Sequence, residues 1–136
     1  MQTYATHRAK PGLAYILSFL LIVVNLGWAG WTVLQGPGLA AAVAFGLALA
    51  LVITHYAARR HAQIVQDRLI RLEMRLRCER LGIDLAGLPL PMIIALRFAG
   101  DGEISALVAK ARSGGFANPD ALKQAITDWQ EDTLRV

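Results

Sequence analysis

The sequence predicts an all-α membrane protein. We expect a two-helix transmembrane hairpin, a second span that continues into a long cytoplasmic helix, and a small C-terminal helical segment. The 136 residues are 55% hydrophobic and only 18% charged, which excludes a disordered chain and exceeds what so small a soluble body can bury. No Lys, Arg, Asp or Glu lies between Leu13 and Ala58. Apolar residues beyond that tract recur at helical spacing.

The charge-free tract contains two runs of bilayer length. Residues 13–35 form a helix about 34 Å long and residues 39–58 one of about 30 Å, and a hydrocarbon core is about 30 Å thick. Residues 36–38 read Gly-Pro-Gly, where Pro cannot continue a helix and Gly permits a tight outer turn. The first run exceeds the apolar core of a secretory signal, about 7–15 residues, so we expect a retained anchor.

Flanking charges predict the orientation of the hairpin. Arg8 and Lys10 lie in the N-terminal segment, residues 1–12, and Arg59 and Arg60 follow the second span, whereas the turn carries no charge. The positive-inside rule then places both termini in the cytoplasm. Arg59 and Arg60 are predicted to contact anionic lipid head groups, each contributing about 1 kcal/mol near the surface.

Small and polar residues inside the spans predict contacts between helices. A row of small residues recurs every four positions, at Gly38, Ala42, Gly46 and Ala50. Small residues let helices approach closely in lipid, here either the first span or a neighbouring copy. Asn25 lies near the middle of the first span, and an intramembrane amide favours helix–helix hydrogen bonding. The alternative, that Asn25 lines a pore, stays open, although neither span offers a charged partner.

The helical extension over residues 59–81 carries two apolar stripes. We define the first stripe as Ala62, Val65, Leu69, Leu72 and Leu76, and the second stripe as Ile70, Met74, Cys78 and Leu81. The first has heptad spacing over about two heptads, and the stripes lie roughly 150° apart around the helix. Two stripes require two partners. We expect the first stripe to contact another subunit and the second stripe to dock the chain's own C-terminal segment.

The segment over residues 82–136 is predicted to hold three short helices. Gly82 ends the long helix, and prolines open a helix over residues 91–98. Asp101 is the expected N-cap of a helix over residues 102–112.

Asn118-Pro119 predicts the start of the last helix, because an N-cap residue precedes Pro at the first helical position. This helix is expected to carry an apolar row through Leu122, Ala125, Ile126 and Trp129. Arg97, on an otherwise apolar helix, is predicted to pair with Glu73 or Asp67.

No arrangement of residues predicts catalysis. His7, His55, His61 and Cys78 lack metal-ligand spacing, and no glycine-rich phosphate loop is present. We therefore expect no enzyme activity, no metal and no cofactor. The seven arginines between residues 59 and 80 accompany no recognised nucleic-acid module, so no nucleic-acid partner is expected. The lone Cys78 fits a reducing compartment.

Five stretches resemble a family of small two-span membrane proteins from bacteria that is catalogued as a domain of unknown function. The stretches are QTYATHR at 2–8, NLGW at 25–28, VQDRLIRLEMRLR at 65–77, ALRFA at 95–99 and KQAITDWQ at 123–130. The resemblance implies a bacterial inner-membrane protein of the topology given above. It implies no reaction, cofactor or site residue.

Together these features favour a non-enzymatic membrane scaffold or accessory protein that forms a homo-oligomer through its transmembrane and cytoplasmic helices. One alternative is a small regulatory subunit that docks on a larger membrane complex. A channel-like or transport oligomer is a further alternative, for which Asn25 would have to face the oligomer axis. Subunit number, ligand and physiological role do not follow from the sequence.

Overall fold

The computed structural model describes residue 4 and residues 11–132. Within that part of the chain the regular elements are helices: α1 Leu13–Gln35, α2 Leu39–Arg80, α3 Leu90–Leu96, α4 Asp101–Arg112 and α5 Pro119–Gln124. An isolated antiparallel bridge joins Ala99 and Trp129. The predicted all-helical class, with two long apolar helices of which the second continues, is confirmed. Arg8 and Lys10, which carry half of the orientation argument, lie outside the described residues, as does His7.

The described residues divide into two compact units, residues 11–63 and residues 64–132. The first unit contains α1 and the apolar part of α2. α1 ends where the N–H of Gly36 donates to the carbonyl of Thr32 at 3.2 Å. Ala29 and Ala48 are buried between the two helices, and Phe45 packs beside Gly30. The two helices therefore meet through alanines and through aromatic side chains, including Tyr15 stacked on His55.

Both long helices are apolar enough to cross a bilayer by length and composition. The most apolar 18-residue window of each has a mean hydropathy of 2.0, and only 6% of each window is buried. The core helix of a soluble protein would be mostly buried, so these helices leave their apolar surface to another environment.

The second unit has a core of its own. Its largest fully buried side chains are Cys78, Leu96, Phe98, Ile104 and Leu122. Leu85, Ile93, Leu107 and Phe116 are also buried there. The C-terminal part of α2 supplies one wall of this core, and α3, α4, α5 and the loops between the helices supply the rest.

Local turn chemistry sets the helix ends. Gly82 adopts a φ of 68°, the left-handed conformation that glycine accepts without strain, and α2 ends two residues before it. Asn118 caps α5 as predicted, because its side-chain oxygen accepts the N–H of Ala121 at 2.8 Å. Asp101 was the wrong choice of cap for α4. The N-cap is Gly100, and Asp101 is the first helical residue.

The predicted last helix is too long. α5 ends at Gln124, so Trp129 does not lie on a helical face with Leu122. The backbone instead turns back and pairs with the end of α3: the N–H of Gly100 donates to Asp128 O at 2.8 Å, and the N–H of Gln130 donates to Phe98 O at 2.7 Å. Trp129 stacks on Phe98 with ring centroids 4.6 Å apart. These pairings replace the backbone bonds that a longer helix would have made.

Candidate functional site

The first stripe of α2 is exposed on the isolated chain. Val65 is 64% exposed, Leu69 53%, Leu72 54% and Leu76 53%, while Ala62 is half-buried. A row of large aliphatic side chains on one helix face is unusual for a surface in contact with water alone. It is a candidate interaction surface.

The second stripe lies largely on the other side of the helix. Ile70, Met74 and Cys78 belong to the core that the C-terminal helices complete. Leu81, the fourth member, is 40% exposed and lies outside that core. Burial raises the pKa of the Cys78 thiol, Arg77 opposes that shift, and Asp101 adds to it. Cys78 is therefore a packed, protonated side chain rather than a reactive thiol.

Arg77 ties α2 to the residues between α3 and α4. Its Nε donates to Asp101 Oδ1 at 2.6 Å, and its Nη2 donates to the carbonyl of Ala99 at 2.8 Å. Its side chain is only 22% exposed. Asp101 lies in the first turn of α4, where a carboxylate also complements the helix dipole. One guanidinium thus donates both to a carboxylate in the first turn of α4 and to a backbone carbonyl just beyond the end of α3.

Arg97 has a different partner from the one predicted. Its Nε donates to Asp132 Oδ2 at 2.8 Å, in a pair whose side chains are 14% and 23% exposed, and its guanidinium lies 4.3 Å from the centroid of the Phe98 ring. The prediction of Glu73 or Asp67 was wrong because it assumed a partner on α2. The terminal segment returns past α3 and supplies the carboxylate.

Glu103 organises the loop after α5. Its two carboxylate oxygens accept the N–H and hydroxyl of Thr127, at 3.0 and 2.6 Å, and the N–H of Asp128 at 3.1 Å. A longer bond, 3.4 Å, comes from the N–H of Gly100. Burial alone raises the pKa of Glu103, but the hydrogen bonds from Thr127, Asp128 and Gly100 together outweigh it, so the pKa lies below its ordinary value.

We call this group of ion pairs and loop contacts the polar junction: Arg77, Arg97, Asp101, Glu103 and Asp132. It lies where three of the stretches that carry the family resemblance meet, around residues 77, 97–99 and 127–130. Gly100 fits here because a Cβ at this position would collide with the carboxylate of Asp128. The roles of Glu103 and Gly100 were missed by sequence reasoning. The signal was present in the spacing of Gly100 and Glu103, which is that of an N-cap and the third helical residue.

The small-residue row of α2 lies on an open face of the helix. Gly38, Ala42, Gly46 and Ala50 are exposed, and a Cβ added at Gly38 or Gly46 would meet nothing within 4 Å. The helix face that meets α1 is instead centred near Ala41 and Ala48, roughly 130° around the helix. The row is therefore open in the isolated chain, and its predicted packing, on the first span or on a neighbouring copy, stays a prediction.

Asn25 lies at an apolar groove of the hairpin. The groove, of about 570 Å³, is lined by Trp28, Thr32, Leu47 and several alanines of both helices. Asn25 itself is exposed. Its amide therefore faces whatever medium surrounds α1.

Arg59 and Arg60 differ in their surroundings. The Arg59 guanidinium lies 4.5 Å from the centroid of the Tyr15 ring, and Tyr15 stacks on His55 with centroids 4.5 Å apart. Arg60 is exposed. Arg59 is thus held by an aromatic face, whereas Arg60 projects freely.

Among the described residues no group of three or more His, Cys, Asp or Glu side chains is placed to hold a metal ion. The features that stand out are surfaces and anchoring contacts.

Comparison with known proteins gives a family without an assigned activity. The model of the family of unknown function DUF6526 matches residues 1–136. No curated protein and no solved structure matches the chain. Because the family model covers the whole sequence, the chain belongs to DUF6526, a family of unknown function.

Proposed function

We propose that the chain is a non-enzymatic, membrane-anchored assembly protein that self-associates through helix α2 and the hairpin. The single observation that carries the proposal is the exposed first stripe. Val65, Leu69, Leu72 and Leu76 are each more than half exposed, although the same helix buries Ile70, Met74 and Cys78 in a finished core. When one face of a helix is already buried in the core of its own unit, a second aliphatic row that stays exposed indicates a further protein partner.

The first stripe alone is a modest surface. Burying the exposed halves of four aliphatic side chains on each of two copies contributes about 6–12 kcal/mol, and association of two bodies costs about 4–15 kcal/mol in lost freedom. The two terms are of similar size, so stable self-association calls for a second contact. The exposed small-residue row of α2 and the amide of Asn25 can supply it between hairpins in lipid.

The proposed setting is the inner membrane of a bacterium, with both termini in the cytoplasm. Two helices whose most apolar 18-residue windows have a mean hydropathy of 2.0 and are only 6% buried support a lipid environment. Arg59 and Arg60 follow the second apolar run and no charge occurs in the turn, which supports a cytoplasmic location for the residues after α2's apolar part. In that setting Arg60 is free to contact anionic head groups.

The test is the oligomeric state of the purified chain in mild detergent and in lipid nanodiscs. We expect a discrete homo-oligomer by multi-angle light scattering, and weaker association for Leu69→Glu and Leu72→Glu, because a charge in a buried stripe is costly. Arg71→Glu is the matched control, since it introduces the same side chain on another face of the same helix. We expect it to leave the mass unchanged.

A strictly monomeric wild type in both media would contradict the proposal. Affinity purification from native membranes then separates the alternatives. A foreign membrane protein in fixed stoichiometry, lost with Leu69→Glu, would support the regulatory-subunit hypothesis, in which the same stripe docks on a larger complex.

A further inference from the structure

A cleft of about 420 Å³ lies in the second unit, between α2 and the loop that follows it. Arg71, Arg75 and Glu79 line it from the helix, and Asp84 and Leu85 line it from the loop. The loop is shaped by Gly82 and Gly87, which both have positive φ. The cleft is separate from the first stripe, which lies on another face of α2.

The two arginines of the cleft differ from three other arginines of this unit, which are held in ion pairs. Arg77, Arg97 and Arg112 each have a carboxylate within 4.0 Å. Across the described residues, neither Arg71 nor Arg75 has such a partner. They are four residues apart, so their side chains leave the same helix face about 6 Å from each other. The cleft therefore presents two adjacent guanidinium groups that the fold does not neutralise.

The acidic groups of the cleft do not cancel this charge. Asp84 is already engaged, because its Oδ2 accepts from Arg112 at 3.1 Å and its Oδ1 accepts the N–H of Ala86 at 2.8 Å. Glu79 is the remaining carboxylate, one turn beyond Arg75, and it forms no ion pair within 4.0 Å among the described residues. Two free cations thus face one free anion, which leaves the cleft positive.

The cleft also has an apolar wall. Leu85 is 8% exposed and Ile93 4%, and both line it. Charge-assisted hydrogen bonds are stronger beside such low-dielectric surface than in open water.

We propose that this cleft binds a phosphate group. A guanidinium fork matches the oxygens of a carboxylate or a phosphate. A carboxylate presents one edge, which a single fork occupies, whereas the non-bridging oxygens of a phosphate point in several directions and accept from two forks at once. The phosphate can belong to a phospholipid head group or to a soluble phosphate compound. The site does not depend on self-association of the chain.

The experiment compares two double variants of equal charge. Arg71→Gln with Arg75→Gln removes both cations of the cleft, and Arg68→Gln with Arg80→Gln removes two exposed cations of the same helix that do not line it. The full chain in phosphatidylcholine nanodiscs is titrated calorimetrically with inorganic phosphate and with pyrophosphate. In a parallel arm, nanodiscs containing phosphatidylglycerol are used, and native mass spectrometry counts the anionic lipids retained.

We expect the cleft variant to weaken binding by about tenfold or more, because each lost charge-assisted contact is worth about that factor, and the control variant to stay near wild type. Glu79→Gln should strengthen binding, since it removes the remaining opposing charge. Binding in the titration assigns a soluble phosphate, and selective retention of phosphatidylglycerol alone assigns a lipid head group. The proposal is overturned if neither probe binds, or if both double variants lose binding equally, because the attraction would then be diffuse.

Discussion

The two units of this chain use apolar residues in opposite ways. In the hairpin, Leu47 is 62% exposed and Leu51 is 52% exposed, whereas in the C-terminal unit Leu96 and Leu122 are fully buried. The same residue type thus faces an external medium in one unit and protein in the other. The overall hydrophobic content therefore indicates little about function until the exposed apolar residues are separated from the buried ones.

Helix α2 contains this difference within one element. Its apolar part buries Ala48 and little else, and its C-terminal part buries Ile70, Met74 and Cys78 while leaving the first stripe outside. The exposure of apolar residues after position 63 therefore has a different cause from the exposure of those before it. Lipid can cover the hairpin, but the first stripe lies within the part of α2 that carries seven arginines between residues 59 and 80, and this favours a protein partner.

The largest expected effect on stability comes from shortening a buried leucine, and an exposed leucine serves as the comparison. Leu96→Ala should destabilise the C-terminal unit by about 2–5 kcal/mol, because it opens a cavity in a packed core. Leu47→Ala should change stability by about 0.5 kcal/mol or less, as is usual for exposed positions. Hydrogen–deuterium exchange measures both, at the α3 and α4 amides for Leu96→Ala and at the α2 amides around position 47 for Leu47→Ala. Equal loss of protection in the two variants would break the comparison.

A loss of stability of intermediate size is expected at the polar junction, a group of contacts that belongs to the C-terminal unit. Arg77→Gln should destabilise the C-terminal unit by about 1–3 kcal/mol, since it leaves Asp101 and the carbonyl of Ala99 without their charged donor. Thermal unfolding in detergent, followed by circular dichroism, measures the loss.

Arg80→Gln is the control for that substitution, because Arg80 is exposed on the same helix. It should shift the midpoint little. If both variants shifted it equally, net charge rather than the junction would be responsible.

The smallest effect concerns Glu103 and pH. Its pKa is lower in the folded state than the ordinary 4.5, so its ionised form stabilises the fold. That contribution is complete above the ordinary pKa and is lost as pH falls through the folded one. Glu103→Gln should cost about 1 kcal/mol at neutral pH and lose much less stability than wild type between about pH 5 and pH 3.

Trp129 offers a local readout of that titration, because it stacks on Phe98 beside the Glu103 loop. In a background with Trp28→Phe and Trp31→Phe it is the remaining tryptophan. Parallel acid transitions of its fluorescence with and without Glu103→Gln would refute the assignment.

Much of the helical pattern was predictable because it depends on local periodicity. The first apolar run, residues 13–35, is α1 in the structure, and Gly82 closes α2 within a residue of the expected place. Three features were not predictable in the same way. The end of α5, the partner of Arg97 and the helix face that meets α1 each depend on which distant segment arrives beside a residue, and no spacing within one helix encodes that.

The order of apolar and polar residues along each element was enough to predict the two long helices, the uncharged tract and the two stripes of α2. The tertiary structure decided which stripe is covered. It closed a core over Ile70, Met74 and Cys78, and it left Val65, Leu69, Leu72 and Leu76 outside. A side chain is buried only when a second surface packs against it. Periodicity along α2 shows which helix faces are apolar, but it does not show which of them the C-terminal segment covers.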